Sequence, residues 1–279
     1  MSDDDPVTGR RFLTKSAYAD DRNIRSRRAI LAYAEAPDGW RPRIAAVPWD
    51  GTQVVADIGC GNGIDLRQLV PEGRCRHAIG VDLSAGMLRT LADLRGSGRL
   101  SLVQADAQAL PLGDDSVDVA LAMHMLYHVA DIPAAVAELR RITRPGGTVL
   151  ASTNSASTMT EIHDLLDDAV SRQLGRPARA RPELSFTTES GTGFLAGQFG
   201  EVTLHRSDVP LAIPGPGPVT AFLDSIREPI LRGVGAALDF GAALDFDAVL
   251  ADVAAAVERA VRSDGQFRTY SRTGVFVCR

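Results

Sequence analysis

The sequence predicts an α/β protein on a doubly wound, mostly parallel sheet, with a helical segment in front and a helical insertion near the end. From residue 52 to 153, short β-branched runs alternate with helical stretches, the pattern of βαβ units whose helices cover both faces of a sheet. Several of these runs, VVADI and VALAM among them, are nearly continuous in apolar residues, as strands buried on both sides are. A chain of 279 residues, 45% hydrophobic and 23% charged, has enough material for one such domain with a generous insertion.

The elements follow in order. Residues 1–50 are expected to form an N-terminal helical lid: Ile24, Ile30, Leu31 and Tyr33 fall among arginines over residues 16–36, an amphipathic helical pattern. Residues 37–51, with two tryptophans and three prolines, read as a connector whose rings should pack on something. Residues 51–208 are the expected core. QVVADIG is the first strand, followed by helical residues 62–70, and HAIGVDL is the second. SAGMLRTLADLRG is a helix with Ser84 as N-cap and Gly96 beyond its end. LSLVQAD and SVDVALAMHML are the third and fourth strands, and a helix over 132–142 leads to a turn at Arg144-Pro145-Gly146-Gly147 and the fifth strand, GTVLAST. Beyond it, 159–174 is helical and EVTLHRSDVPLAI and FRTYSRTGVFVC are strands. Residues 209–264, with helical pieces at 219–231 and 246–262, are the expected helical substrate cap, and 265–279 the final core strand. The hexamer GAALDF occurs twice in tandem over 235–246, a local duplication rather than a solenoid.

Composition excludes several classes. A net charge of -5, from 35 acids against 30 bases, disfavours the broad basic footprint of a nucleic-acid binder. Lys15 is the only lysine. Cys60, Cys75 and Cys278 show neither paired nor metal-ligand spacing and read as free thiols of a reducing compartment. MSDDDPVTGRR has no apolar signal-type run and no window is apolar enough to span a bilayer, so the expectation is a soluble, cytoplasmic protein. No HExxH or clustered Asp/His pattern suggests a metal.

The most informative segment is Val54-Val55-Ala56-Asp57-Ile58-Gly59-Cys60-Gly61-Asn62-Gly63, a buried strand that delivers three glycines into a helix start. Glycines there allow a tight turn and a close backbone approach to a ligand. Dinucleotide sites use G-x-G-x-x-G, whose third glycine would fall on Ile64. Asp57, just before the first glycine, would repel a pyrophosphate but suits a cationic zwitterion. S-adenosylmethionine, with an α-ammonium, a sulfonium and no phosphate, meets both conditions better than a nicotinamide dinucleotide. Asp82 and Asp106 end the second and third strands. Each alone reads equally well as a turn former. Three acids at the carboxyl ends of consecutive strands converge on the crevice where open sheets bind ligands: Asp82 can accept from ribose hydroxyls, and Asp106 from an adenine amine.

With these residues the chain resembles the class I S-adenosylmethionine-dependent methyltransferases, especially those of ubiquinone and menaquinone biosynthesis and of natural-product pathways. The resemblance spans residues 54–153 and rests on VVADIGCGNG, IGVDLSAGML, ADAQALPLGDDSVDVALAMHMLYHVAD and ELRRITRPGGTVLAS. It implies a Rossmann-like seven-stranded sheet of order 3-2-1-4-5-7-6 with the seventh strand antiparallel. It further implies that Gly59, Cys60 and Gly61 back the methionine part of the cofactor and that Asp57 approaches its ammonium. Asp82 would hold the ribose, Leu83 and Met87 would lie against the adenine, Asp106 and Ala107 would read its edge, and Met123 would pack near the sulfonium. YADDRNIRSR resembles a segment that folds over the cofactor, which puts Tyr18 near the methyl group. Asn62 stands where threonine or serine is common, and beyond Asn154 no match guides the substrate assignment.

Methyl transfer needs alignment and exclusion of water, with a base only where the nucleophile loses a proton. The candidates are His128 and His124, after the fourth strand. The competing structural reading has either one bonding a neighbouring loop group such as Asp131. His163 and His205 read as surface or packing residues, His77 as exposed, one of Met123 and Met125 as core filler, and Arg25, Arg27 and Arg28 as a solvated helix face, with contact of one of them to an acidic substrate or to the cofactor carboxylate the sharper alternative.

The expected activity is methyl transfer from S-adenosylmethionine to a small organic acceptor, giving S-adenosylhomocysteine. Oxygen is preferred because of the histidines, and nitrogen or carbon are the alternatives. The expected partners are a small-molecule acceptor, with neither nucleic acid nor membrane, and the protein a monomer or homodimer. The rivals are a dinucleotide-dependent oxidoreductase, a non-catalytic S-adenosylmethionine-binding regulatory or partner protein, and a tRNA or protein methyltransferase. The last is disfavoured by the acidic balance and by the lack of an Asn-Pro-Pro-Tyr-like motif.

Overall fold

A computed structural model describes residues 9–35, 47–236 and 244–279. Seven strands form one sheet: β1 (Val54–Ile58), β2 (His77–Asp82), β3 (Leu100–Gln104), β4 (Val117–Met123), β5 (Thr143–Asn154), β6 (Val202–Ile213) and β7 (Phe267–Cys278). Their order is β3-β2-β1-β4-β5-β7-β6. All pairs from β3 to β5 are parallel, and β7 runs antiparallel to both β5 and β6. The order and the reversed last strand are those the resemblance implied.

The apolar strand runs are explained by what covers them. In β1, Val55 joins one core with Leu66, Leu69, Leu88 and Leu91, while Ala56 and Ile58 join the core on the other face. β7 divides likewise, with Val275 and Val277 on one side and Phe276 and Cys278 on the other. The second face is closed by α5 (Ile132–Ile142), which buries Ile132, Ala135, Val136, Leu139 and Ile142 at helical spacing. Asp131 caps its start, accepting from the Ala134 amide at 3.0 Å. Truncating a residue as buried as Leu139 costs about 2–5 kcal/mol.

A second core lies beyond the sheet. α6 (Thr160–Leu174), α8 (Pro216–Asp224) and α10 (Phe246–Asp264) pack against one another and against Leu211, Ile213 and Phe267, at the ends of β6 and β7 that outrun the parallel strands. α10 presents Phe246, Val249, Val253 and Val257 on one face. α7 (Gly191–Leu195) precedes β6, and α9 (Arg227–Ala236) follows α8. The N-terminal segment bridges the two cores. α1 (Arg10–Phe12) widens into a π-helical turn over Leu13–Ala17, and α2 (Arg22–Ala29) lies on α8 and runs into a 3-10 turn over Ile30–Tyr33. Ala34 bridges to Leu211, and the Glu35 amide donates to Pro210 at 2.9 Å.

Several expectations need correction. The amphipathic helical region expected over 16–36 is interrupted at residues 18–21, where Tyr18 leaves helical geometry. The helix expected over 62–70 shrinks to α3 (Leu66–Leu69), because Gly61 and Gly63 hold positive φ through the loop. The helix expected over 84–96 becomes α4 (Ala85–Arg89) and a 3-10 turn over Ala92–Ser97. The Arg144–Gly147 turn is a bulge inside β5: Val117 pairs with Thr143 but Val119 with Thr148. The helical piece at 219–231 is two helices, α8 and α9. Trp49 packs on the Val47 side of the sheet core, whereas Trp40 and most of the GAALDF repeat lie outside the described residues.

Candidate active site

The carboxyl ends of β1, β2, β3 and β4 open on one cavity of about 990 Å³. It is lined by all thirteen residues singled out in the sequence: Tyr18, Asp57, Gly59, Cys60, Gly61, Asp82, Leu83, Met87, Asp106, Ala107, Met123, His124 and His128. The opposite wall comes from α2, the start of α6, residues 179–190 and the α8–α9 junction.

The glycine loop is shaped by its backbone. Gly59 has φ +68°, and a Cβ there would come within 2.7 Å of the Met125 side chain. The loop is tied to the next strand by Asp82, whose two carboxylate oxygens accept from the Gly61 and Ser84 amides at 2.8 Å each. Each oxygen retains a lone pair for a further donor. Burial raises the Asp82 pKa against the pull of those two amides. Asp106 accepts through one oxygen from the Gln108 amide and side chain, at 3.0 and 2.9 Å, which leaves its other oxygen uncommitted to that turn. Its loop is pinned from α5: Arg141 donates to the carbonyls of Leu110 and Leu112, and Glu138 accepts from the Leu110 amide.

Asp57 is only 2% exposed yet lines the cavity. Its carboxylate makes no hydrogen bond among the described residues. Burial first, then the charges of Asp65 and Asp82, push its pKa well above the usual carboxylate range. A buried anion in that position is relieved by a cation in the cavity. The Cys60 thiol is likewise pushed up by burial, which keeps it an inert wall residue.

Both histidines follow β4. His124 holds φ +55°, and its amide donates to the carbonyl and to the Oγ of Ser152. His128 faces the N-terminal segment, with Nε2 2.7 Å from the Tyr18 hydroxyl; Asp131, the alternative loop partner, is the α5 cap. Arg27 Nη1 donates to the same hydroxyl at 3.2 Å. A guanidinium only donates, so the Tyr18 oxygen accepts from Arg27; in the Nδ1–H tautomer of His128 the Tyr18 proton points to Nε2, which then accepts. Arg27 is therefore not part of a solvated face: it also donates to the Ser225 carbonyl, and its Nε is enclosed without a partner.

Long-range contacts that no local pattern announces fix Tyr18 in place. Ser84 Oγ donates to the Tyr18 carbonyl at 2.7 Å. The Ala19 carbonyl lies so close to Gly86 that a Cβ on that residue would collide with it. Ser16 donates to Glu228 on α9, and Ser26 to the Ala221 carbonyl on α8. His163 departs further from its expected role: it is 7% exposed and part of the cavity wall. His77 begins β2 half-buried, 2.9 Å from Ser101 Oγ, and His205 is exposed on β6. Met123 and Met125 both line the cavity. The described residues contain no group of side chains able to hold a metal and no helix long and apolar enough to cross a membrane.

Residues 56–151 match the family described as "Methyltransferase domain". A demethylmenaquinone methyltransferase of Roseiflexus castenholzii is 38% identical over 117 residues, covering 40% of this chain and 47% of its own. A malonyl-[acyl-carrier protein] O-methyltransferase of Serratia marcescens is 34% identical over 108 residues, covering 39% of this chain and 41% of its own. The chain thus spans less than half the length of these curated relatives. The fold is shared with an N-methyltransferase of Haemonchus contortus solved with phosphomonomethylethanolamine and S-adenosylhomocysteine, at TM-score 0.53 and 20% identity, covering 96% of this chain and 60% of that one. Residues 56–151 are thus similar to methyltransferase domains, and the flanking chain completes the seven-stranded sheet.

Proposed function

We propose that the protein transfers a methyl group from S-adenosylmethionine to an oxygen of a small organic acceptor. The observation that carries this is the Tyr18–His128 hydrogen bond, set in the wall of the cavity that also holds the three strand-end acids. At about 990 Å³ that cavity is at the upper end of the ~300–1,000 Å³ usual for small-molecule sites, which favours a cofactor and an acceptor side by side.

The residues present fit the cofactor. Asp57, buried without a hydrogen-bonded partner, suits the α-ammonium. The remaining lone pairs of Asp82 suit the ribose hydroxyls, and the free oxygen of Asp106 with the Ala107 amide suits the adenine edge. Met87 and Leu83 would offer apolar surface to the ring, Gly59, Cys60 and Gly61 would back the methionine part, and Met123 would pack near the sulfur. When bound, the cofactor supplies a methyl group on a positively charged sulfur, which an acceptor oxygen displaces to leave S-adenosylhomocysteine.

The chain's own contribution is to orient the acceptor, exclude water and take the hydroxyl proton. His128 accepts that proton at Nε2, directly or by way of Tyr18. Arg27, held beside the Tyr18 hydroxyl, favours the oxygen giving up its hydrogen over its taking one. His124, which also lines the cavity, is the second candidate.

The test is calorimetric titration with S-adenosylhomocysteine, with NADH as control ligand, on the protein and on Asp82→Ala, followed by a screen of hydroxylated acceptors with labelled methyl donor. Micromolar binding of S-adenosylhomocysteine alone, weakened in the variant, is expected. His128→Ala should retain that binding and lose turnover by about 10²–10⁴-fold. Binding of NADH alone, or of neither ligand, would overturn the reading, and turnover unaffected in His128→Ala would remove the base.

A further inference from the structure

A second polar corner of the cavity is unexplained by the cofactor. His163, in the first turn of α6, has Nδ1 enclosed without any hydrogen-bond partner. Its ring stands edge-on to Phe222, centroids 6.2 Å apart. Burial first, then the nearby Arg181 guanidinium, pushes its pKa down to about 3, so the imidazole is neutral at physiological pH. With Nδ1 shut in, Nε2 is the nitrogen left to serve the cavity that the ring lines.

Arg181 borders the same cavity and is half-buried. One nitrogen, Nη2, donates to the Thr158 carbonyl at 3.0 Å, and no described carboxylate forms an ion pair with it. Its desolvation lowers its pKa; Arg179 acts in the same sense, and Asp164 and Asp167 oppose them through space. The neighbouring cavity arginines differ: Arg227 pairs with Asp224 and Asp247, and Arg179 with Glu183. A partly desolvated cation without a counter-ion and a buried imidazole without a partner both oppose folding. One bound anion would offset both.

We propose that Arg181 and His163 bind a carboxylate of the methyl acceptor, so that the acceptor is a hydroxylated organic acid whose nucleophilic oxygen lies toward Tyr18 and His128. A carboxylate matches what this corner offers: one guanidinium without an ion-paired carboxylate among the described residues, and a neutral ring that donates through Nε2–H once an anion selects that tautomer. The proposal rests on the methyltransferase reading, because it assigns part of the same cavity to the acceptor.

The test uses protein saturated with S-adenosylhomocysteine. 4-Hydroxybenzoate, 3-(4-hydroxyphenyl)propanoate and 3-hydroxyoctanoate are titrated in, each beside its primary amide, with phenyl phosphate as the dianionic control. At least one acid should bind saturably and its amide about tenfold or more weakly, the loss expected for one charge-assisted hydrogen bond. Arg181→Gln should reduce the acid to the level of its amide, Arg181→Lys should recover part of the difference, and S-adenosylhomocysteine affinity should stay unchanged in both. The ¹⁵N spectrum of His163 should move to the Nε2–H form with the acid and not with the amide. Equal binding of acids and amides, no binding of any acid, or acid binding unchanged in both Arg181→Gln and His163→Phe would overturn the proposal. Binding of phenyl phosphate alone would overturn it in favour of a phosphate. Failure of S-adenosylhomocysteine itself to bind would instead sink the methyltransferase reading.

Discussion

Replacing Asp57 by asparagine keeps the shape of the side chain and removes a charge from a position that is 2% exposed. Its raised pKa fixes the sign. A carboxyl whose folded pKa lies above its unfolded value gives its full contribution below the unfolded pKa, near 3.8, and loses it as pH rises through the folded value. At neutral pH the wild-type fold therefore carries a penalty that the amide does not. A buried polar group without its hydrogen bond costs about 1–3 kcal/mol, and more when charged. The variant without ligand should thus melt at least about 2–4 °C higher at pH 7–8, with the gap closing toward pH 4. The same change deletes the proposed partner of the cofactor ammonium. A hydrogen bond to a charged group is worth about 1.5–3 kcal/mol, so affinity for S-adenosylhomocysteine should fall about 10–150-fold. Thermal denaturation across that pH range and calorimetric titration at pH 7.5 measure the two effects. A variant that melts lower and binds S-adenosylhomocysteine unchanged would refute the reasoning, because Asp57 would then be supporting the loop rather than awaiting a cation.

Gly86→Ala places a Cβ against the Ala19 carbonyl while improving the helix propensity of α4. It should release residues 9–21, seen as faster amide exchange there, with the sheet amides unchanged; unaltered exchange in that segment would refute the docking role. His163 should make the fold acid-sensitive. Its folded pKa, about 3, lies below the unfolded 6.5, so the unfolded chain binds the extra proton between those values and stability falls as pH drops through that window. The slope approaches at most about 1.4 kcal/mol per pH unit from this one group. The charges acting on that site, Arg181 and beyond it Asp164 and Asp167, are left in place by His163→Phe. That variant should flatten the pH dependence of the melting temperature between 6.5 and 4, and an unchanged slope would show that the imidazole is solvated.

The chain's local pattern determined the sheet, the helices that cover it and the row of acids at its carboxyl edge. Strand runs such as VVADI and caps such as Ser84 and Asp131 are set by burial period and by backbone donors within three residues, both of which sequence records directly. The placement of Asp57, Asp82 and Asp106 on one rim follows from the same rule, since parallel strands share a carboxyl end. Where local signals compete, the tertiary structure decided. The amphipathic pattern over 16–36 breaks at Tyr18 because Ser84 and Gly86, more than sixty residues away, anchor that turn. Arg27 reads as one of several solvated arginines until α8 closes over it. His163 reads as packing because nothing adjacent in sequence reveals that its ring will line a cavity beside an arginine without a counter-ion. The Tyr18–His128 contact, across 110 residues, depends on two elements meeting over the sheet edge. Sequence carries the short-range energetics of elements and caps; which polar groups end up facing each other, and which remain without a partner, is a property of the packed chain alone.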